Sequence, residues 1–267
     1  MPVDGTGLAG TVKAILDAPA PTGELRVRVE RLGKHSVVTD AYRTAPFHLG
    51  LPSDRSGDGS IELIVQGVGP GYLPGDRLSI DIMVGEGASL TVRGQGATKV
   101  VPSPQAIAVT VEVTLSIESG GRLVYLPGEL IPYRGAVLEQ VTRIEVADGG
   151  SLALGEILTP GRIAMGEAND YIRLHLAVEA RYGGRTCLIE RARLDPAKRP
   201  LTTLGRHGSH PVAGSLYLIG NGGALTETTS IPASVIWSAA TGDGYTLVRL
   251  VGRTAQALSA AMRSLIS

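Results

Sequence analysis

Three segments of the chain repeat one pattern: MVGEGASLTV from Met83, SIESGGRLVY from Ser116 and EVADGGSLAL from Glu145. In each, an apolar residue (Val84, Ile117, Val146) leads into a glycine turn (Gly87, Gly120, Gly149), and a leucine (Leu90, Leu123, Leu152) follows with a further apolar residue two places on. The leucines stand 33 and then 29 residues apart, an interval at which solenoids repeat a supersecondary unit. Within SIDIM, TVEVTLSI and QVTRIEV apolar and polar residues alternate, so each segment has one buried face and one wet face. The unit is strand, glycine turn, strand. Glycine suits the turn because positive φ costs it no steric penalty. Two architectures satisfy the repeat alone: a meander of hairpins, or a β-helix-like stack.

The remaining composition narrows the class. The 267 residues are 43% hydrophobic but only 4% aromatic, so the core is built from Val, Leu, Ile and Ala. The 36 glycines are dispersed among alternating runs, which suits tight turns rather than disorder. Twenty-five basic and 25 acidic residues cancel, leaving no global field to recruit nucleic acid or an anionic membrane. One cysteine, Cys187, permits no internal disulfide and fits a buried strand thiol in a reducing compartment. No run approaches the ~20 apolar residues of a membrane span, and the N-terminus lacks a signal-peptide pattern. The expectation is a soluble, cytoplasmic protein.

Along the chain, ELRVRVERLG from Glu24 reads as a strand, LGLPSDRSGDGS as an exposed loop and IELIVQGV as a strand. The Gly- and Pro-rich GPGYLPGDRL is an irregular loop delivering Asp76 and Arg77 to the next strand. After the three repeats, HLAVEARYGGRTCLIERARL continues as a longer hairpin turning at Gly183 and Gly184. Beyond Asp195 a loop region precedes SLYLIG and the strand candidate YTLVRLVG. The final segment places Ala255, Leu258, Met262, Leu265 and Ile266 on one face of a short amphipathic helix. Strand units in series favour one large β domain over residues 1–267.

Nucleotide motifs are weak. GQGATK from Gly94 lacks the spacing and the following helix of a phosphate loop, and GVGPGYLPG has no helix to supply amides. His207 and His210 lack a third ligand at a recognisable spacing, so no stable metal site is expected. No nucleophile elbow marks a serine hydrolase. The acidic residues Asp76, Glu156, Glu167 and Glu190 are more informative, since each sits at a strand end or in an apolar strand context. A carboxylate in LGEIL or CLIER is costly to bury unless it is paired, hydrogen-bonded or beside water. One reading is a structural ion pair, for instance with Arg162 or Arg191; the other is a polar channel through a β scaffold.

Five stretches together resemble the UreD (UreH) family of urease accessory proteins: AYRTAP from Ala41, GDRLSIDIMVGEGASLTVRGQGATKV from Gly75, YLPGELIPYRGAVLEQVTRIEV from Tyr125, GEILTPGRIAMGE from Gly155 and IERARLDP from Ile189. The match is collinear over roughly residues 24–196 and weaker in the first 20 residues and past Pro200. The resemblance implies a β-helix-like stack with few helices, and a non-catalytic role in urease maturation. Its implied partners are a helical accessory protein (UreF), a nickel-carrying GTPase (UreG) and apo-urease. Nickel would pass transiently through an internal tunnel, with no cofactor stably bound. Carried over by position, the tunnel residues are Asp76, Thr98, Glu156 and Glu190, with Lys99, Arg162, Glu167 and Arg191 as neighbours. Pro74 stands where the family usually has glycine, and Val100 and Val101 where it usually has an aromatic residue.

Two rivals belong to other classes. A β-helical polysaccharide lyase or hydrolase would use clustered carboxylates, but one Trp, one Phe and eight Tyr leave few rings for stacking sugars. The other rival is a generic solenoid binding module.

Overall fold

The structure, a computed structural model, describes residues 20–54, 57–200, 209–220 and 231–266. It opens with a hairpin of β1 (Gly23–Leu32) and β2 (His35–Arg43), followed by β3 (Phe47–Leu49) and β4 (Ile61–Gly67). Three successive coils then follow the repeats: β5 (Arg77–Val84), β6 (Ser89–Gln95) and β7 (Thr98–Val100); β8 (Val109–Ile117), β9 (Arg122–Leu126) and β10 (Glu129–Pro132); β11 (Val137–Val146) and β12 (Ser151–Leu158). A 3-10 turn at Ile163–Met165 leads to a second hairpin, β13 (Arg173–Tyr182) and β14 (Arg185–Leu194). The chain ends with β15 (Val212–Gly220), β16 (Ile236–Gly242), β17 (Tyr245–Gly252) and one helix, α1 (Ala255–Ile266).

The two strands flanking each glycine turn do not pair with each other. They belong to different sheets, and each pairs in parallel with its equivalent in the next coil. The repeats are therefore corners of a β-helix-like stack, and the hairpin reading of these three units is replaced. One sheet runs β14-β13-β11-β8-β5-β1-β2; the facing sheet runs β16-β17-β15-β12-β9-β6-β4-β3, with β7 and β10 as a side branch. Leu90 pairs with Leu123 and Leu123 with Leu152, while Val84, Ile117 and Val146 form the matching row opposite. All six are buried between the sheets. Each contributes on the order of 2 kcal/mol of apolar transfer, so the repeat spacing is also the packing of the core. At the corner, Gly87, Gly120 and Gly149 all have positive φ, and a Cβ added at Gly120 would stand 3.7 Å from Gly87 in the preceding coil.

The hairpin expected at Gly183 and Gly184 is present as β13–β14, antiparallel with a bulge near Arg181. The strands expected at YTLVRLVG and IELIVQGV form, and the C-terminal helix buries Ala255, Leu258, Met262 and Leu265. Thr254 Oγ1 accepts the Ala257 amide at 3.2 Å and caps the helix start. The helix covers the outer face of β12, β15 and β17 through Ala153, Ile157, Leu216, Leu218, Val248 and Leu250. It seats closely because a Cβ at Gly214 would stand 2.7 Å from Met262. Besides the short strands β3 and β10, two longer strands escaped the sequence reading, β2 and β16, both largely exposed edge strands with no buried alternation to reveal them. Among the described residues, no helix is long and apolar enough to cross a membrane.

Candidate functional site

Strand phase decides which polar side chains enter the interior. In β12, Leu152, Leu154 and Leu158 pack into the core between the sheets, and Ala153 and Ile157 pack beneath α1. Glu156 shares the inward phase with the leucines, so a carboxylate occupies a core position. In β11 the inward row is Leu138, Gln140, Thr142, Ile144 and Val146, which leaves Val141 on the outer face beside Arg143. Gln140 thereby reaches across from the opposite sheet, and its Nε2 donates to Glu156 Oε1 at 3.1 Å. In β14, Ile189 is 57% exposed on the outside while Glu190 turns inward. This reverses what CLIER suggests to the eye.

Glu190 is held by two groups from the facing sheet. Tyr217 on β15 donates its hydroxyl to Oε2 at 3.1 Å, and Arg249 on β17 approaches Oε1 at 2.5 Å. Tyr217 is 2% exposed, whereas the Arg249 side chain is 46% exposed, so the guanidinium stands between the interior and solvent. Burial pushes Glu156 up to about 7, and the charge of Glu190 adds to the rise; the Arg249 charge, the nearby Tyr217 hydroxyl and the hydrogen bond from Gln140 offset only part of it. Burial likewise drives the Tyr217 phenol above its ordinary range, with the Glu156 and Glu190 charges acting in the same direction.

These residues line a cavity of about 190 Å³ between the sheets. It is large enough for several waters and has polar groups to hold them. A second cavity of about 70 Å³ adjoins it, and Tyr72, Ile80, Thr98, Tyr125 and Pro127 line both. Burial raises Tyr72 to about 12, opposed by its hydrogen bond with Thr98 and assisted by the Asp76 charge; burial also raises Tyr125. The second cavity continues past Lys99 to the exposed glycines at Gly67 and Gly69. A line of polar groups therefore runs from Arg249 through Glu190, Tyr217, Glu156 and Gln140 to Tyr125, Tyr72 and Thr98.

Of the eight residues singled out from sequence, Thr98, Glu156 and Glu190 line this interior space, and Lys99, itself exposed, borders the second cavity. Asp76 lies behind Tyr72 and clasps its own loop, its Oδ2 accepting the Leu73 amide at 2.7 Å. Arg162 and Glu167 form a separate clasp: the guanidinium donates to both carboxylate oxygens at 2.8 and 2.6 Å and stacks on Tyr133 at 4.0 Å. Those bonds hold Glu167 below the usual carboxylate range. Arg191 is on the outer face, paired with Glu179 at 2.7 Å. Ion pairing accounts for Glu167, held by Arg162, and also engages Glu190, through Arg249, while Glu156 and Glu190 both line an interior space. Gln140, Tyr217 and Arg249 were missed; only Gln140 carried a signal, as a polar residue in phase with Ile144 and Val146. His207 lies outside the described residues, and among those described no three His, Cys, Asp or Glu side chains gather as a metal site.

A largely parallel β-stack with an apolar core, a polar-lined cavity inside it and a packed C-terminal helix defines the class: a β-solenoid-like fold. A family model for the UreD urease accessory protein matches residues 21–267, reaching well past Pro200. The "Urease accessory protein UreD" of Actinomyces naeslundii is 32% identical over 189 residues, covering 71% of this chain and 69% of the relative. That of Arthrobacter sp. (strain FB24) is 30% identical over 209 residues, covering 77% and 71%. The chain belongs to the UreD family of urease accessory proteins.

Proposed function

We propose that this chain acts in urease maturation as a non-catalytic scaffold, joining a UreF-type helical protein and a UreG-type GTPase at apo-urease in the cytoplasm. Nickel is its cargo and passes through the interior cavities. The observation that carries this reading is the pair of adjoining cavities with Glu156 and Glu190 on their wall and the tyrosines and Thr98 beyond them. The donors along this line are oxygens. Nickel prefers imidazole, so oxygen ligands spread over separate strands would hold it weakly and let it leave, as a conduit requires. Asp76, Arg162, Glu167 and Arg191 take structural roles beside the path.

Two assays test the reading. Pull-down of the tagged chain from cells expressing the urease genes recovers the helical accessory protein and the GTPase; recovery of neither rejects the scaffold. Glu156→Ala lowers urease activation, whereas Arg191→Ala on the outer face leaves it unchanged; equal activation by both variants rejects the path.

A further inference from the structure

The two interior carboxylates already have a cation. Arg249 reaches Glu190 at 2.5 Å from a half-exposed position at the cavity rim, and its Nη1 also donates to Ser215 on the neighbouring strand β15. Across the cavity wall, Glu156 stands close enough to feel both the Glu190 and the Arg249 charges. We propose that Arg249 is the resident counterion of this carboxylate pair and blocks its use as a stable divalent-cation site, so that a cation gains Glu190 only by displacing the guanidinium.

Three features support the exchange. The Arg249 head has solvent on one side, so it can leave Glu190 without crossing the core. The guanidinium spreads its rigid fork between Glu190, through Nη2, and Ser215, through Nη1, and it cannot deprotonate, so the competing charge persists at every working pH. The oxygens that it leaves behind, from Glu190, Glu156, Gln140 and Tyr217, face one cavity and are hard donors of the kind that accept divalent cations. Stripped of its guanidinium, Glu190 would be an uncompensated charge facing the cavity, which a divalent cation neutralises. Arg249 is therefore a positioning residue: it sets how long a cation stays rather than what is transported.

This inference rests on the cavity being a cation path, but its test reads binding by the chain itself, without urease. The full-length chain and its Arg249→Gln and Arg249→Lys variants are dialysed to equilibrium against nickel chloride at one fixed near-neutral pH, after circular dichroism has confirmed the fold. Arg249→Gln binds about one nickel per chain at least tenfold more tightly than the unsubstituted chain, and adding Glu190→Gln to it removes the gain. Arg249→Lys, which keeps a charge but loses the fork, falls between the two and serves where Arg249→Gln fails to fold. Equal affinity of the unsubstituted chain and whichever variant folds overturns the proposal, as does a gain that survives Glu190→Gln. Failure of Glu156→Ala to lower urease activation is a separate result, which bears on the path and not on the counterion.

Discussion

Gln140 Nε2 donates to Glu156 Oε1 at 3.1 Å, joining the two sheets through the middle of the stack. Each residue occupies an inward position in a row that is otherwise apolar apart from Thr142. The bond gives a buried carboxylate one fixed partner without neutralising it.

The stability of the fold should therefore depend on pH through Glu156. Its folded value of about 7 lies above the ordinary 4.5, so protonation favours the folded chain. That stabilisation is complete below the unfolded value and is lost as pH rises through the folded one. Between pH 5 and 8 the unsubstituted chain loses about 2–3 kcal/mol relative to Glu156→Gln, which stays neutral throughout. Urea unfolding of both at several pH values reads the difference directly, and parallel profiles would contradict it.

Gln140→Leu removes a donor that favours the charged carboxylate. The midpoint of the same pH-dependent loss moves upward. An unmoved midpoint would show that the cross-sheet bond contributes nothing to the charged state.

Leu123 is the middle rung between Leu90 and Leu152 and is fully buried. Leu123→Ala leaves a cavity under two neighbouring coils, at a cost of about 2–5 kcal/mol in unfolding free energy. Ile189→Ala, on the outer face at 57% exposure, stays within about 0.5 kcal/mol. Similar losses at both positions would contradict the stacked core.

Gly120 has φ +67°, and the nearest atom to an added Cβ is 3.7 Å away, so space is not the constraint. Gly120→Ala costs about 1–2 kcal/mol through backbone conformation alone. Chemical unfolding of this variant tests the corner, and an unchanged midpoint would argue against a left-handed residue there.

The sequence carried the stack because one physical fact, the recurrence of a buried leucine at the same place in each strand–glycine–strand unit, controls both the repeat and the register; Leu90, Leu123 and Leu152 pair in the structure as they align in the sequence. It did not distinguish corner from hairpin, since a glycine between two alternating runs serves both, and only the pairing partner differs. The edge strands β2 and β16 were illegible for a related reason: an exposed strand has no buried phase to show. Glu156 and Glu190 could be found because a carboxylate among apolar residues is costly and therefore conspicuous. Their partners could not. Tyr217 and Arg249 lie 61 and 93 residues from Glu156 in the chain and meet it only through the antiparallel strands β15 and β17. Asp76, Arg162 and Arg191 had the same local look as path residues, yet loop geometry and strand phase turn them away from the cavity.

The central claim is that nickel reaches urease by way of the interior carboxylates. Its most direct test is the nickel content of urease purified from cells carrying Glu156→Ala together with Glu190→Ala in this chain, produced at a level matched to the unsubstituted chain. The path reading predicts urease that is assembled but depleted of nickel and correspondingly inactive, while pull-down still recovers the accessory partners. Urease with its full nickel content in that double variant would contradict it.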